Sequence, residues 1–163
     1  MSGPLRNRFA PVRSWTRAAA AVLALGLAGC VSSPDEVDAE LERNRDRWRA
    51  QRLADYVVQY QLGCFCAVDV AEPVLLTVRG GGLVAVARVS DGHPVDPSGW
   101  EGRYYTVEEL FALIADSQRE GAAEVRVRYD AELGYPADVY LDPVAGIADD
   151  ERSFELRGLA RLP

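Results

Sequence analysis

No lysine occurs in the 163 residues, so all 18 basic side chains are arginines. With alanine, glycine and valine abundant, this points to a GC-rich coding bias rather than to a mechanism. Histidine is almost missing: His93 is the single imidazole. The chain has no Gly-x-Ser-x-Gly, no phosphate loop and no dinucleotide fingerprint, which leaves a nucleophile site or a nucleotide site without its parts. Gly80-Gly81-Gly82 joins two strand-like runs rather than opening a helix, so it lacks the phosphate-binding context. Nothing points to a paired-carboxylate hydrolase. Long apolar runs are missing as well. The longest, Ala18 to Gly29, is about a dozen residues, short of the roughly 20 that span a bilayer. Acids are absent before Asp35. The expectation is a non-enzyme with no cofactor and no metal.

The basic residues are unevenly spread. Arg6, Arg8, Arg13 and Arg17 are 4 of the 18, and no acid accompanies them. The remainder, from Cys30 onward, carries 14 basic against 25 acidic residues, a charge of −11. Such a surface repels a phosphate backbone, so nucleic acid is an unfavourable partner. The charge reads as solubility.

A basic stretch, a short apolar stretch and small residues form a secretory signal peptide. Leu27-Ala28-Gly29-Cys30 closes it. This set resembles the lipobox of bacterial lipoproteins, and the resemblance implies that Cys30 becomes the lipidated N-terminus, with a diacylglyceryl thioether and an acylated amine. Two or more acyl chains anchor stably where one holds only marginally. Residue 31 is Val rather than the Asp that retains many such proteins at the inner membrane. The expected organisation is a removed signal over residues 1–29, a lipidated tether over 30–35, and one α+β domain over 36–163. That length supports one core. The expected location is exported and lipid-anchored to the cell membrane or outer membrane, the domain on the periplasmic or extracellular side.

Asp35 can cap a helix running to about Ala50, with Val37, Leu41, Asn44 and Trp48 along one face. From Asp55 the period falls to two. Tyr56, Val58, Tyr60 and Leu62 share a face, opposite Val57, Gln59 and Gln61. Pro73 to Arg79 and Leu83 to Val89 are two further strands about the glycine turn. His93 to Tyr104 is a loop whose Trp100 folds back on the core. Thr106 and Glu109 form a capping box, and Val107, Leu110, Phe111 and Ile114 make the stripe of a helix ended by Gly121. Val125 to Tyr129 and Ala137 to Leu141 flank a turn with Gly134 left-handed. Ser153 to Leu162 is the last strand, with Gly158 at a bulge. The order helix-βββ-helix-βββ gives an α+β fold, an antiparallel sheet of five to six strands with two helices packed on one face. Val58 to Gly63 faintly echoes Val127 to Gly134.

Taken together, Trp48, Cys64-Phe65-Cys66, Thr106 to Phe111, Tyr129-Asp130, Gly134-Tyr135-Pro136 and Asp149-Asp150-Glu151 resemble a family of small bacterial envelope lipoproteins catalogued as a domain of unknown function. The resemblance covers roughly Asp46 to Leu159. It implies envelope location and brings no activity with it.

Cys64 and Cys66 are an even pair in an oxidising setting. In a regular strand their Cα atoms lie about 6.5–7 Å apart, against the 5.5–6 Å a disulfide favours. A bond therefore needs a bend at Phe65. A structural disulfide leads, a redox pair is the sharper rival, and a soft-metal site such as one for Cu(I) comes third. Asp142, Asp149, Asp150 and Glu151 form an acidic turn without the ligand spacing of a calcium loop. Tyr135 is either an exposed recognition point or, more commonly for such a hairpin, packed. The function these residues point to is a membrane-anchored envelope protein with a non-catalytic binding or structural role. Its partners are the membrane, through lipid on Cys30, and an envelope protein or ligand that the sequence does not identify. The alternative is a thiol-disulfide or soft-metal-handling protein using Cys64 and Cys66.

Overall fold

The computed structural model describes residues 34–67, 70–147 and 149–163, and for residues 34–37 the backbone alone. Cys30 and the leader lie outside the described residues. No helix of the described residues is long and apolar enough to cross a membrane.

Helix α1 (Pro34–Ala50) buries Leu41, Asn44 and Trp48, three and four residues apart. It starts one residue before Asp35, so Asp35 stands inside the first turn rather than capping it. Proline suits a helix start, because its missing N–H would have no partner there. Asn44 is a polar residue in an apolar stripe. Its Nδ2 donates to the Glu40 carbonyl at 2.9 Å, and its Oδ1 accepts from Arg47 at 3.1 Å.

Six strands follow from the alternating runs: β1 (Tyr56–Cys64), β2 (Val74–Arg79), β3 (Gly82–Arg88), β4 (Glu124–Tyr129), β5 (Pro136–Asp142) and β6 (Arg152–Arg161). They form one sheet in the order β3-β2-β1-β6-β5-β4. Every pairing is antiparallel. The fold is α+β. Each helix precedes three strands, and both triplets run across the sheet in the same sense, third, second, first. Within that order β1 has neighbours on both sides, whereas β4 lies at an edge.

The β2–β3 turn is closed by the Arg79–Gly82 pair, with Gly80 and Gly81 at φ 57° and 80°. Two successive left-handed residues make the turn whose twist matches a hairpin. The Gly80 N–H donates to Asp55 Oδ1 at 2.8 Å, tying the turn to the start of β1. In β6 the register slips between Arg157 and Ala160, opposite Val57 to Gln59. Gly158, at φ 62°, supplies the extra residue of this bulge, and the apolar phase changes there.

Helix α2 (Val107–Arg119) has the full capping box: Thr106 accepts from the Glu109 N–H, and Glu109 accepts from the Thr106 N–H. Gly121, at φ 75°, follows the C-cap Glu120. The hydroxyl of Tyr56 accepts from the Val107 N–H at 2.9 Å, so a strand residue completes the helix start. Before α2, Pro97–Gly99 makes a short 3-10 turn with Asp96 as its cap. The sequence pattern read this segment only as loop, because three residues are too few to show a period. Trp100 is half-buried and donates to the Val95 carbonyl at 3.3 Å.

The core lies between the helices and one face of the sheet. It gathers Tyr56, Val58, Tyr60, Leu76, Val78, Val139, Leu141, Phe154 and Leu156 with Trp48, Leu110, Phe111 and Ile114. Burying each large apolar side chain contributes about 1.5–3 kcal/mol before chain entropy opposes it. The other sheet face carries Gln59, Gln61, Thr77, Asp138, Tyr140, Glu155 and Arg157, none of them buried.

Candidate binding site

Cys64 and Cys66 are joined by a disulfide with Cα atoms 5.2 Å apart. The chain bends at Phe65 and Cys66, where β1 ends. Cys64 still pairs with Arg152 of β6 and packs beside the core. Phe65 stands 86% exposed at the tip, the most exposed large apolar side chain of the described residues. His93 lies elsewhere, in the loop after β3, with Nδ1 3.1 Å from the Asp91 carboxylate. Asp91 is held well below the usual carboxylate range, first by its hydrogen bond from Arg88 and then by the His93 N–H. In the acidic turn, Asp142 accepts from the Val144 N–H at 3.1 Å and shapes the backbone. Among the described residues no three His, Cys, Asp or Glu side chains gather as a metal site.

The Tyr-Asp and Gly-Tyr-Pro residues organise the β4–β5 turn. Asp130 Oδ1 accepts from the N–H groups of Glu132 and Leu133 at 3.0 and 2.7 Å. Its own N–H donates to the Tyr135 carbonyl at 2.8 Å. Gly134, at φ 82°, lies so close to α1 that a Cβ there would sit 2.7 Å from the Asn44 carbonyl oxygen. Tyr135 is only 5% exposed and packs edge-on against Trp48, with ring centroids 6.4 Å apart. It is a packing residue rather than a recognition point. Trp48 also meets Tyr56 edge-on at 5.5 Å and donates from Nε1 to Glu108 at 2.8 Å. One indole thus joins α1, β1, the β4–β5 turn and α2.

That docking leaves a cleft of about 400 Å³ between α1 and β4, lined by Glu40, Arg43, Asn44, Arg47 and residues Val127 to Ala131. Arg47 donates to the Ala131 carbonyl at 3.5 Å across it. Arg43 and Arg47 form no ion pair among the described residues. Asp130 in the same cleft is committed to its turn. Below it, Arg45 lies over the Phe111 ring at 5.7 Å, and Phe111 stacks on Tyr129 at 6.1 Å. The Tyr129 phenol is pushed well above its ordinary value, chiefly by burial and then by Glu40.

A second cleft of about 380 Å³ opens on the other face of the sheet, lined by Arg126, Val127, Arg128, Asp138, Tyr140 and Ser153. Arg126 covers the Tyr140 ring at 4.3 Å and pairs with Glu124 at 3.3 Å; Arg128 pairs with Asp138 at 3.3 Å. Val127 lines both clefts, so the free edge of β4 runs between them. Sequence reasoning did not identify this place. Arg43 and Arg47, one helical turn apart, give no local signal of it, because Arg45 and Arg49 share that spacing on the same helix and do not line the cleft.

No curated protein and no solved structure matches the chain. Residues 40–161, which hold every strand and both clefts, match the family model described as "Family of unknown function (DUF6174)", and the chain belongs to that family.

Proposed function

We propose that this chain is a lipid-anchored bacterial envelope protein whose α+β domain has a non-catalytic binding or structural role. The observation that carries the reading is Leu27-Ala28-Gly29-Cys30, set after four arginines and a short apolar run. Cys30 carries the lipid, and the domain faces the exported side of the cell membrane or outer membrane. The residue pattern supports the non-catalytic part. Trp48, Thr106, Tyr129, Asp130, Gly134 and Tyr135 are engaged in packing and turn formation. The acidic balance of the remainder supports a partner other than nucleic acid.

Labelled palmitate tests the anchor. The wild-type chain incorporates label and sediments with membranes, and Cys30→Ser loses both. Unchanged labelling in Cys30→Ser refutes the reading.

A second reading, thiol-disulfide exchange or soft-metal handling at Cys64 and Cys66, is favoured by one observation. Cys66 is exposed, next to the protruding Phe65. The pair's reduction potential separates the two. A potential well below the glutathione range, with no Cu(I) uptake by the reduced protein, supports a structural bond; a potential within that range supports exchange.

A further inference from the structure

We propose that the free edge of β4 receives an extended segment of a partner protein as an added strand, and that carboxylates on this segment meet Arg43 and Arg47. The proposal deepens the binding half of the reading above by naming the kind of partner, and it rests on that half.

The backbone supplies the first argument. The Ala123 N–H donates to the Pro143 carbonyl, and Val125 and Val127 face Leu141 and Val139 in the same register. Alternation along an antiparallel pair then turns the N–H and C=O groups of Glu124, Arg126 and Arg128 to the open side. Open strand edges are templates for pairing, and proteins cover or charge them. The opposite edge of this sheet is partly covered. The Arg88 N–H donates to the His93 carbonyl and the Val95 N–H to the Val86 carbonyl, both at 2.9 Å, and Pro94 bridges Ala87. Among the described residues, β4 has no such cover.

The sheet order supplies the second. In the series β3-β2-β1 and β6-β5-β4, the edge of β1 equivalent to the open edge of β4 is filled by an antiparallel strand, β6. The same position on the second triplet is open.

Charge identifies the occupant. Side chains of an added strand alternate between the two sheet faces. Those on the helix side enter the cleft, where Arg43 and Arg47 form no ion pair among the described residues although Glu40 and Asp130 also line it. Those on the outer side lie beside Arg126 and Tyr140. A second copy of the chain fits poorly. Pairing β4 with its own copy would put only Val125, Val127 and Tyr129 on the helix side, and so would bring no carboxylate to Arg43 and Arg47.

The test uses the full-length protein in detergent and a terminally blocked eight-residue peptide of alternating glutamate and valine. A peptide with lysine in place of glutamate is the control. The glutamate peptide binds, more weakly as salt rises, and the amides of Glu124, Arg126 and Arg128 gain protection from hydrogen exchange. The lysine peptide does not bind. Arg43→Glu with Arg47→Glu weakens binding about tenfold. If that variant does not fold, Arg43→Gln with Arg47→Gln is used and weakens it about threefold. Equal binding of both peptides overturns the proposal. So does binding that leaves the three amides unprotected, which is ionic attraction alone. Protection of those amides by protein concentration without peptide also overturns it, by making a second copy the occupant. Palmitate labelling is read separately, so loss of peptide binding in a labelled protein removes this inference and leaves the anchor standing.

Discussion

Gly134→Ala tests whether the β4–β5 turn is held by its close approach to α1. Two costs arise at that position. The φ of 82° is left-handed, which costs a residue with Cβ about 1–2 kcal/mol. The added carbon would also lie 2.7 Å from the Asn44 carbonyl oxygen and 3.0 Å from Arg47 Cβ. The first of these contacts is backbone inside a helix and cannot swing away. The turn must lift from α1, loosening Tyr135 against Trp48, at a further cost of about 1–3 kcal/mol. The expected loss is about 2–5 kcal/mol, a large part of the 5–15 kcal/mol typical of a domain. Gly121→Ala is the matched control. Its φ of 75° is equally left-handed, but a Cβ there meets nothing within 4 Å, so only the conformational cost of about 1–2 kcal/mol applies. Gly134→Asn completes the set, since asparagine tolerates the left-handed region yet keeps the clash. Urea unfolding of the purified proteins measures all three. The order of loss expected is Gly134→Ala, then Gly134→Asn, then Gly121→Ala. Equal losses for the two alanine variants would refute the claim that packing against α1, rather than turn conformation, makes residue 134 glycine.

Two further predictions concern the core and the disulfide. Tyr56 and Tyr60 are fully buried, and burial raises both phenols well above 10. With the folded value above the unfolded one, their stabilisation is complete below about pH 10 and falls as pH rises beyond it, by up to about 2.7 kcal/mol per pH unit for the two. Unfolding free energy measured from pH 9 to 12 checks this, and Tyr56→Phe lowers the slope by up to about 1.4 kcal/mol per pH unit while lowering stability at neutral pH, because the Val107 N–H loses its acceptor. The bond between Cys64 and Cys66 closes a loop of three residues, so Cys64→Ala with Cys66→Ala costs only about 2 kcal/mol or less. A loss above about 4 kcal/mol in thermal unfolding contradicts that loop-entropy argument.

What was legible in the sequence was local. The capping box of Thr106 and Glu109, the stripe of α2, the glycine turn at Gly80 and the phase change at Gly158 each depend on residues a few positions apart. With Asp35 as its cap, α1 would start at Glu36, two residues after the Pro34 where it does start; a proline and an aspartate both suit a helix start. What was not legible depends on distance along the chain. Trp48 and Glu108 meet across 60 positions, and Arg47 reaches Ala131 across 84. No periodicity encodes such pairs. The strands could be read, but not the pairing of β1 with β6, and so not which strand would be left at an edge. The α1–β4 cleft was invisible for that reason. Arginines on a helix face look like solvated charge until the strand opposite them is known. The family resemblance marked Tyr129, Asp130, Gly134 and Tyr135, and the structure gives them an architectural use.

The place of β6 bears on how the molecule is made. Arg161 pairs with Tyr56, so two neighbours in the middle of the sheet are separated by almost everything else in the domain. Chains rich in such distant pairings acquire their native topology slowly. Until β6 arrives, the apolar rows of β1 and β5 have bare flanks, and the nascent polypeptide needs protection from clumping over that interval.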